Sequence, residues 1–420
     1  MTRTRRDTKS IASSMESRMS EDPIISPEAC IFRIPSILYR HNEKAYIPNA
    51  FSIGPFHHGK ENLNETEKIK FKYLQGLIRR TDPATVLMAC IDAIKQVENK
   101  VRNCYAEEIG MSEDEFVEML VLDGCFIIEL LRKYANEVQR DRDDPIFSMS
   151  CMPQYLYQDL ILLENQIPWF VLERLFSLTS DPFESKSLVQ LALVFFENVF
   201  SDEATPVDFN LFANQNINHI LDLLRSSLLL PLPEEQEQEL KVWQSFPSAR
   251  VIEESGIKFK KVKSTTILDV KFVNGTLEMP SILISEFIEP AFRNLISYEQ
   301  CSPYCSPIVT CYAMLLDNLI NTTEDMNILS KTGILNNWLN PEDATQFFKM
   351  LYYDTGVKEF YFQKLCVQVN KYREKLWPRW RAFYYHNYFG KPWAIISQIF
   401  AILLLTLAIL QTIYTMMPGK

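Results

Sequence analysis

Glycine is scarce, with 11 residues in a chain of 420 against 22 prolines. Phosphate-cradling loops and sandwiches dense in tight turns both need backbone free of a Cβ. A nucleotide-binding α/β enzyme and an all-β fold are therefore disfavoured, and helices joined by proline-containing loops are expected. A basic excess is also missing: 43 Lys and Arg against 53 Asp and Glu leave a formal net charge of −10, so nucleic acid is not an expected partner. The first 22 residues hold no apolar run of signal-peptide length. Their Arg3, Arg5, Arg6, Lys9 and Arg18 among Ser and Thr read as a disordered basic tail over 1–27 rather than a transit peptide. No repeat of fixed period is present, which disfavours a solenoid. Cysteine follows no staple pattern: nine residues, an odd number, are scattered from Cys30 to Cys366. They read as reduced, mostly buried thiols of a cytosolic protein. The one cluster, Cys301, Cys305 and Cys311, matches no standard zinc spacing and lacks a nearby fourth ligand.

What the chain does have is one long uncharged run. Residues 393–417 read WAIISQIFAILLLTLAILQTIYTMM, and a helix of that length rises about 37 Å against a hydrocarbon core of about 30 Å. The run predicts a transmembrane helix over 392–417 with Trp393 and Tyr414 near the interfaces. Lys371, Arg373, Lys375, Arg379, Arg381 and Lys391 precede it, and only Lys420 follows. The positive-inside rule then puts residues 1–391 on the cytosolic side. With only 418–420 beyond, the layout is that of a tail-anchored, single-pass protein, with the plasma membrane favoured over the endoplasmic reticulum. The preceding WPRWRAFYYHNYFGKPW reads as a basic, aromatic collar on anionic headgroups. The expected partners are membrane lipid, through this helix, and an unknown protein.

At 47% apolar and 12% aromatic residues, the chain can bury a large core. Pro35, Pro48, Gly54, Pro55 and Gly59 punctuate short extended segments near residues 30–60. Helix signals follow. Asn64 with Glu67 and Ser112 with Glu115 match capping boxes, and Asp82-Pro83 offers an N-cap followed by proline at the first helical position. From Phe116 the apolar spacing describes a one-sided stripe through Tyr134. Pro168 should split the helical stretch 154–176 near Gln166. Further helices are expected near 187–200, 216–229, 283–300, 304–321, 340–353 and 356–389. Asn274-Gly275 predicts one β-hairpin near 266–282. The expected fold class is mainly α: a large helical domain over 28–391, two lobes meeting near the acidic stretch 231–245, and the C-terminal transmembrane helix.

The chemistry-bearing candidates are few. Gly54–Glu61 matches Gly-x4-Gly-Lys, but Glu61 stands where magnesium needs Ser or Thr, and Pro55 removes a backbone donor. His57 and His58 are adjacent, so in an extended chain their rings point apart, and one His hydrogen-bonded inward in a turn is the better reading. Asp123 lies on the apolar stripe and needs partners, and Cys125 is a thiol two residues on. Glu164, Asn165 and Gln166 interrupt an apolar run and mark a helix terminus or a hydrogen-bond hub, which Asp123 is expected to meet. Lys258, Lys260, Lys261 and Lys263 alternate as on a solvated edge strand. No metal ligands, cofactor site or complete catalytic set is evident. An enzyme, hydrolase or transferase, would have to bring Asp123, Cys125, His57 and Glu164 to one reachable pocket. The sequons at Asn64, Asn274 and Asn321 would stay unmodified in a cytosolic domain.

IFRIPSILYRHNEKAYIPNAFSIGPFHHG at 31–59, LVLDGCFIIELL at 120–131, DLILLENQIPWFVL at 159–172, SFPSARVIEESGIKFK at 245–260, FRNLISYEQC at 292–301 and the final apolar run together resemble the plant domain of unknown function 247 family. The resemblance runs over about residues 28–417. It implies a land-plant protein, mostly helical with one C-terminal transmembrane helix, and no established enzyme activity or catalytic residues. It also admits a recognition role of the self-incompatibility type. From the sequence, then, the expected function is protein recognition or signalling from the cytosolic face of a membrane, with an uncharacterised enzyme as the alternative.

Overall fold

The computed structural model describes residues 10–16, 26–80, 83–180, 185–201, 203, 207–232, 244–337, 339–340, 347–374 and 392–416. The chain is mainly helical with a small sheet, and it divides into two compact units. The first comprises Met1–Pro233, Ser285–Thr310 and Met350–Lys358; the second comprises Glu234–Ile284, Cys311–Lys349 and Glu359–Lys420.

In the first unit, helices α1 (Asn64–Ile78), α2 (Pro83–Lys95), α3 (Glu98–Asn103), α4 (Glu113–Tyr134), α5 (Met152–Ile161), α6 (Trp169–Leu178), α7 (Leu188–Phe195), α8 (Ile220–Leu229) and α10 (Ile288–Cys301) assemble the core. Helix α4 starts where its capping box lies: Ser112 accepts from the Glu115 amide, and Glu115 returns a bond to Ser112. The expected one-sided stripe understates α4, because Val121, Leu122, Cys125 and Ile128 on its other faces are buried as well. A helix apolar all round is one that others enclose, and α1, α2, α6 and α7 pack around it. Gly124 permits this closeness, since a Cβ there would stand 2.3 Å from Leu175 Cδ1 of α6. Phe126 stacks on Phe51 at 5.0 Å and meets Tyr73 of α1 edge-on at 5.3 Å.

One local expectation fails. Pro83 does open α2, with Asp82 outside the described residues. Asn64 with Glu67 forms no box: Leu63 occupies the cap position without a side-chain bond. Glu67 faces Lys70 Nζ instead, at 2.6 Å, while Thr66 donates to the Leu63 and Ala50 carbonyls. Pro168 splits the stretch as expected: it is the N-cap of α6, and residues 162–168 form a loop between α5 and α6.

The second unit holds α9 (Ala249–Glu254), α12 (Thr323–Lys331), α13 (Gln363–Arg373) and two sheets; α11 (Ile308–Leu319) begins in the first unit and runs into the second. Strands β2 (Lys271–Val273) and β3 (Thr276–Pro280) are antiparallel across Asn274 and Gly275, both at positive φ. Strand β1 (Lys258–Val262), carrying Lys258, Lys260 and Lys261, pairs parallel to β3. Strands β4 (Ile282–Ile284) and β5 (Leu335–Asn337) make a second, parallel pair. A Cβ on Gly275 would lie 2.4 Å from the Tyr372 hydroxyl of α13.

The expected transmembrane helix is corrected. Residues Pro392–Met416 form helix α14, whose described apolar side chains are exposed. Yet among the described residues no helix is long and apolar enough to cross a membrane. The helix carries the polar residues Ser397, Gln398 and Gln411. It also carries Thr406 and Thr412, whose hydroxyls bond back to the Ile402 and Ala408 carbonyls. Of the expected flank, Lys371 and Arg373 lie in the last turn of α13. Lys375, Arg379, Arg381, Lys391, the aromatic collar before α14 and the side chain of Trp393 lie outside the described residues. So do most of the basic N-terminal tail and the acidic stretch from residue 233 to 243.

Candidate functional site

Residues 30–56 run as a strap over the first unit; the extended segments expected here are interrupted by helical turns at Ser36–Tyr39 and Glu43–Tyr46, and Ile31 makes a parallel bridge to Tyr105. A strap without a neighbouring strand leaves its amides seeking partners, because a buried unpaired N–H costs about 1–3 kcal/mol. The polar side chains singled out in the sequence supply them. Asn165 accepts from the Ile53 amide at 2.7 Å and donates to the Phe51 carbonyl at 3.0 Å and the Asp159 carbonyl at 2.8 Å. Asp123 Oδ2 accepts from the Gly54 amide at 2.8 Å. Glu164 Oε1 accepts from the Ile34 amide at 2.8 Å. Gln166 holds the α5–α6 loop itself, donating to the Leu160 and Leu162 carbonyls and accepting from the Leu221 amide of α8.

Asp123 and the 164–166 trio thus meet through the strap rather than directly. Gly54 is the hinge of that meeting. At φ +71°, its missing Cβ would stand 2.4 Å from the Gln166 carbonyl oxygen, so only glycine fits there.

Three further members escaped the sequence reading. Asp159 is fully buried and accepts from the Asn49, Ala50 and Phe51 amides at 2.6–2.8 Å; burial pushes its carboxyl up to about 6 against those donors. Lys70, also fully buried, donates to Asp123 Oδ1 at 2.6 Å and to the Ser52 carbonyl. Burial favours its neutral form, but the Asp123 and Glu67 carboxylates prevail and raise its pKa, so it remains an ammonium. Asn294 of α10 accepts from the Leu163 amide and donates to the Ala45 carbonyl. The signal for Lys70 lay in its spacing, since 70, 73 and 77 share the buried face of α1.

His57 and His58 diverge: His57 is buried and His58 exposed. Lys60 Nζ lies 2.7 Å from His57 Nδ1. An ammonium only donates, so Nδ1 accepts and the ring proton sits on Nε2. That Nε2 faces Glu164 Oε2 at 3.3 Å but is too poorly aligned for a hydrogen bond; the neutral ring offers the carboxylate only its N–H dipole. Burial chiefly lowers the His57 pKa, with Glu164 opposing. Burial pushes Glu164 up, but His57, the Ile34 amide and Arg33 outweigh it and hold the carboxyl below its ordinary range.

Cys125 lies elsewhere. Two residues from Asp123 on α4, it points to another face and its thiol meets Cys90 of α2. The hypothetical catalytic group therefore does not converge. Only His57 and Glu164 approach each other, while Asp123 is engaged by Lys70 and Gly54. Among the described residues no group of three or more His, Cys, Asp or Glu is placed to hold a metal.

The profile of a family described as "Plant protein of unknown function", DUF247, matches residues 31–407. The UPF0481 protein At3g47200 of Arabidopsis thaliana is 29% identical over 94% of this chain and 88% of its own length. The putative UPF0481 protein At3g02645 of the same plant is 21% identical over 96% of this chain and 93% of its own. No solved structure matches the chain.

Proposed function

The chain belongs to the DUF247 family of plant proteins of unknown function, and from that premise we propose that it serves as a helical protein-recognition module in the cytosol rather than as an enzyme. One observation carries the reading: Asp123, Asp159, Asn165 and Gln166, the buried groups best suited to chemistry, are each bonded to backbone of the strap or the loop. Such a network serves the fold. The scattered, unstapled cysteines support the cytosolic placement.

The contact surface we assign lies on the first unit. There Tyr353, 52% exposed, stacks on His41 at 5.9 Å, and Arg40 pairs with Asp354. Tyrosine and arginine are the residues that most often anchor protein interfaces.

Proximity labelling with the full chain in plant tissue, followed by binding of each labelled protein to purified wild type and Tyr353→Ala, tests this. The reading expects a partner whose affinity drops about tenfold or more with the fold unchanged, the size of one interface anchor. A turnover by the purified chain that Asp123→Asn or His57→Gln abolishes, with folding intact, would overturn it.

A further inference from the structure

Beyond the recognition reading, the two ends of the strap's bridge to Tyr105 carry a second chemistry. We propose that Cys30 and Cys104 form a reversible dithiol that a hydroperoxide closes into a disulfide, tying the start of the strap to the end of α3. The backbone places the two residues side by side. The Cys30 and Ile31 amides both donate to the Cys104 carbonyl at 2.9 Å, and the Ala106 amide donates to the Ile31 carbonyl at 3.0 Å. Cys30 and Cys104 each immediately precede a member of the Ile31–Tyr105 parallel pair. Neighbouring strands run about 4.8 Å apart, inside the Cα separation of roughly 4.4–6.8 Å that a disulfide needs. The two thiols lie close enough to perturb each other's ionisation. Cys30 is held from its other side as well, its carbonyl 3.0 Å from His219 Nε2 at the start of α8.

Access separates this pair from a second one. Cys30 and Cys104 keep 9% and 6% of their surface exposed, whereas Cys90 and Cys125, also in mutual contact, keep 1% each. Cys104 is the attacking sulfur. The Cys30 thiol beside it chiefly lowers its pKa, with burial and the Glu28 carboxylate opposing and the Lys100 ammonium one turn earlier assisting. As a thiol it donates to the Lys100 carbonyl.

The reaction balances with hydrogen peroxide as the oxidant. The Cys104 thiolate attacks one peroxide oxygen, the O–O bond breaks, and the departing hydroxide takes a proton to become water, leaving a sulfenic acid. The Cys30 sulfur then attacks the Cys104 sulfur. The S–S bond forms, the S–O bond breaks, and hydroxide leaves with the Cys30 proton as a second water. Two thiols lose two electrons and two protons, and one peroxide becomes two waters. Exchange with a dithiol reductant reverses the bond.

The test uses the reduced full chain exposed to a small molar excess of hydrogen peroxide, blocked with N-ethylmaleimide, digested without reductant and mapped by mass spectrometry. The expected result is a Cys30–Cys104 linked peptide forming at least tenfold faster than any Cys90–Cys125 link. In Cys30→Ser, a dimedone-trapped sulfenic acid should accumulate at Cys104. The wild-type map stands alone if that variant fails to fold. Cys104 remaining fully alkylatable, or Cys90–Cys125 oxidising first, would overturn the proposal.

Discussion

The Lys70–Asp123 pair offers the sharpest test of whether the buried polar cluster is a fold device. Asp123→Asn preserves an acceptor for the Gly54 amide but strips Lys70 of its main counter-ion. The ammonium keeps Glu67 at 2.6 Å and the Ser52 carbonyl. The expected cost is therefore at the low end of what removing one partner of a buried pair takes, about 3 kcal/mol. Lys70→Met leaves Asp123 with the Gly54 amide, an under-paired buried carboxylate, at roughly 3–5 kcal/mol. The double variant removes both charges together. It should cost clearly less than the sum of the singles, with a coupling of about 2–3 kcal/mol. Urea unfolding of the full chain followed by far-ultraviolet circular dichroism gives the four stabilities. Single costs below about 1 kcal/mol that simply add would refute the reasoning, because a buried pair in contact cannot behave as two independent surface charges.

Other outcomes follow from the same geometry. Gly124→Ala places a methyl against Leu175 Cδ1 and should lose about 1–3 kcal/mol through overpacking, part of which Leu175→Ala restores; thermal melts of the two single variants and the double variant check this. Gly54→Ala meets the Gln166 backbone at positive φ and should not yield folded protein, whereas Gly59→Ala, at φ +75° with open space around it, should cost about 1–2 kcal/mol. The folded pKa values of both His57 and Glu164 lie below their ordinary ones. Their contributions are therefore present above the unfolded values, about 6.5 and 4.3, and fade as pH falls through the folded ones. Asp159, raised to about 6, has the opposite sign: its contribution is full below about 3.9 and is lost as pH rises through 6. Accordingly His57→Gln should flatten the stability loss that sets in as pH falls below about 6.5, and Asp159→Asn should flatten a loss between about pH 4 and 6, both read from urea midpoints.

Short-range chemistry was the readable part of this sequence. Ser112 with Glu115, Pro83, and Asn274-Gly275 each act within four residues, and each structures the backbone where it stands. The Asn64–Glu67 signal failed because a remote demand outbid it: Glu67 turns to Lys70, which is drawn inward by Asp123. The polar trio was visible as an anomaly in an apolar run, but its partners were not. Asn165 bonds to Ile53 across 112 residues and Glu164 to Ile34 across 130, separations that no local pattern encodes. Asp159 went unnoticed because a single acid near a helix end looks solvated until the strap is laid over it. Uncharged composition alone argued for a spanning helix over 392–417, and that expectation did not survive the description of α14.

Amide hydrogen exchange over Asn49–Gly54 in the full chain, wild type against Asn165→Ala, tests most directly that these buried side chains exist to hold the strap. The account predicts slow exchange at Ala50, Phe51, Ile53 and Gly54 in the wild type, and in the variant an increase of at least tenfold centred on Ile53, whose amide bonds to Asn165. Rapid exchange of the wild-type strap, or protection unchanged by the substitution, would contradict it.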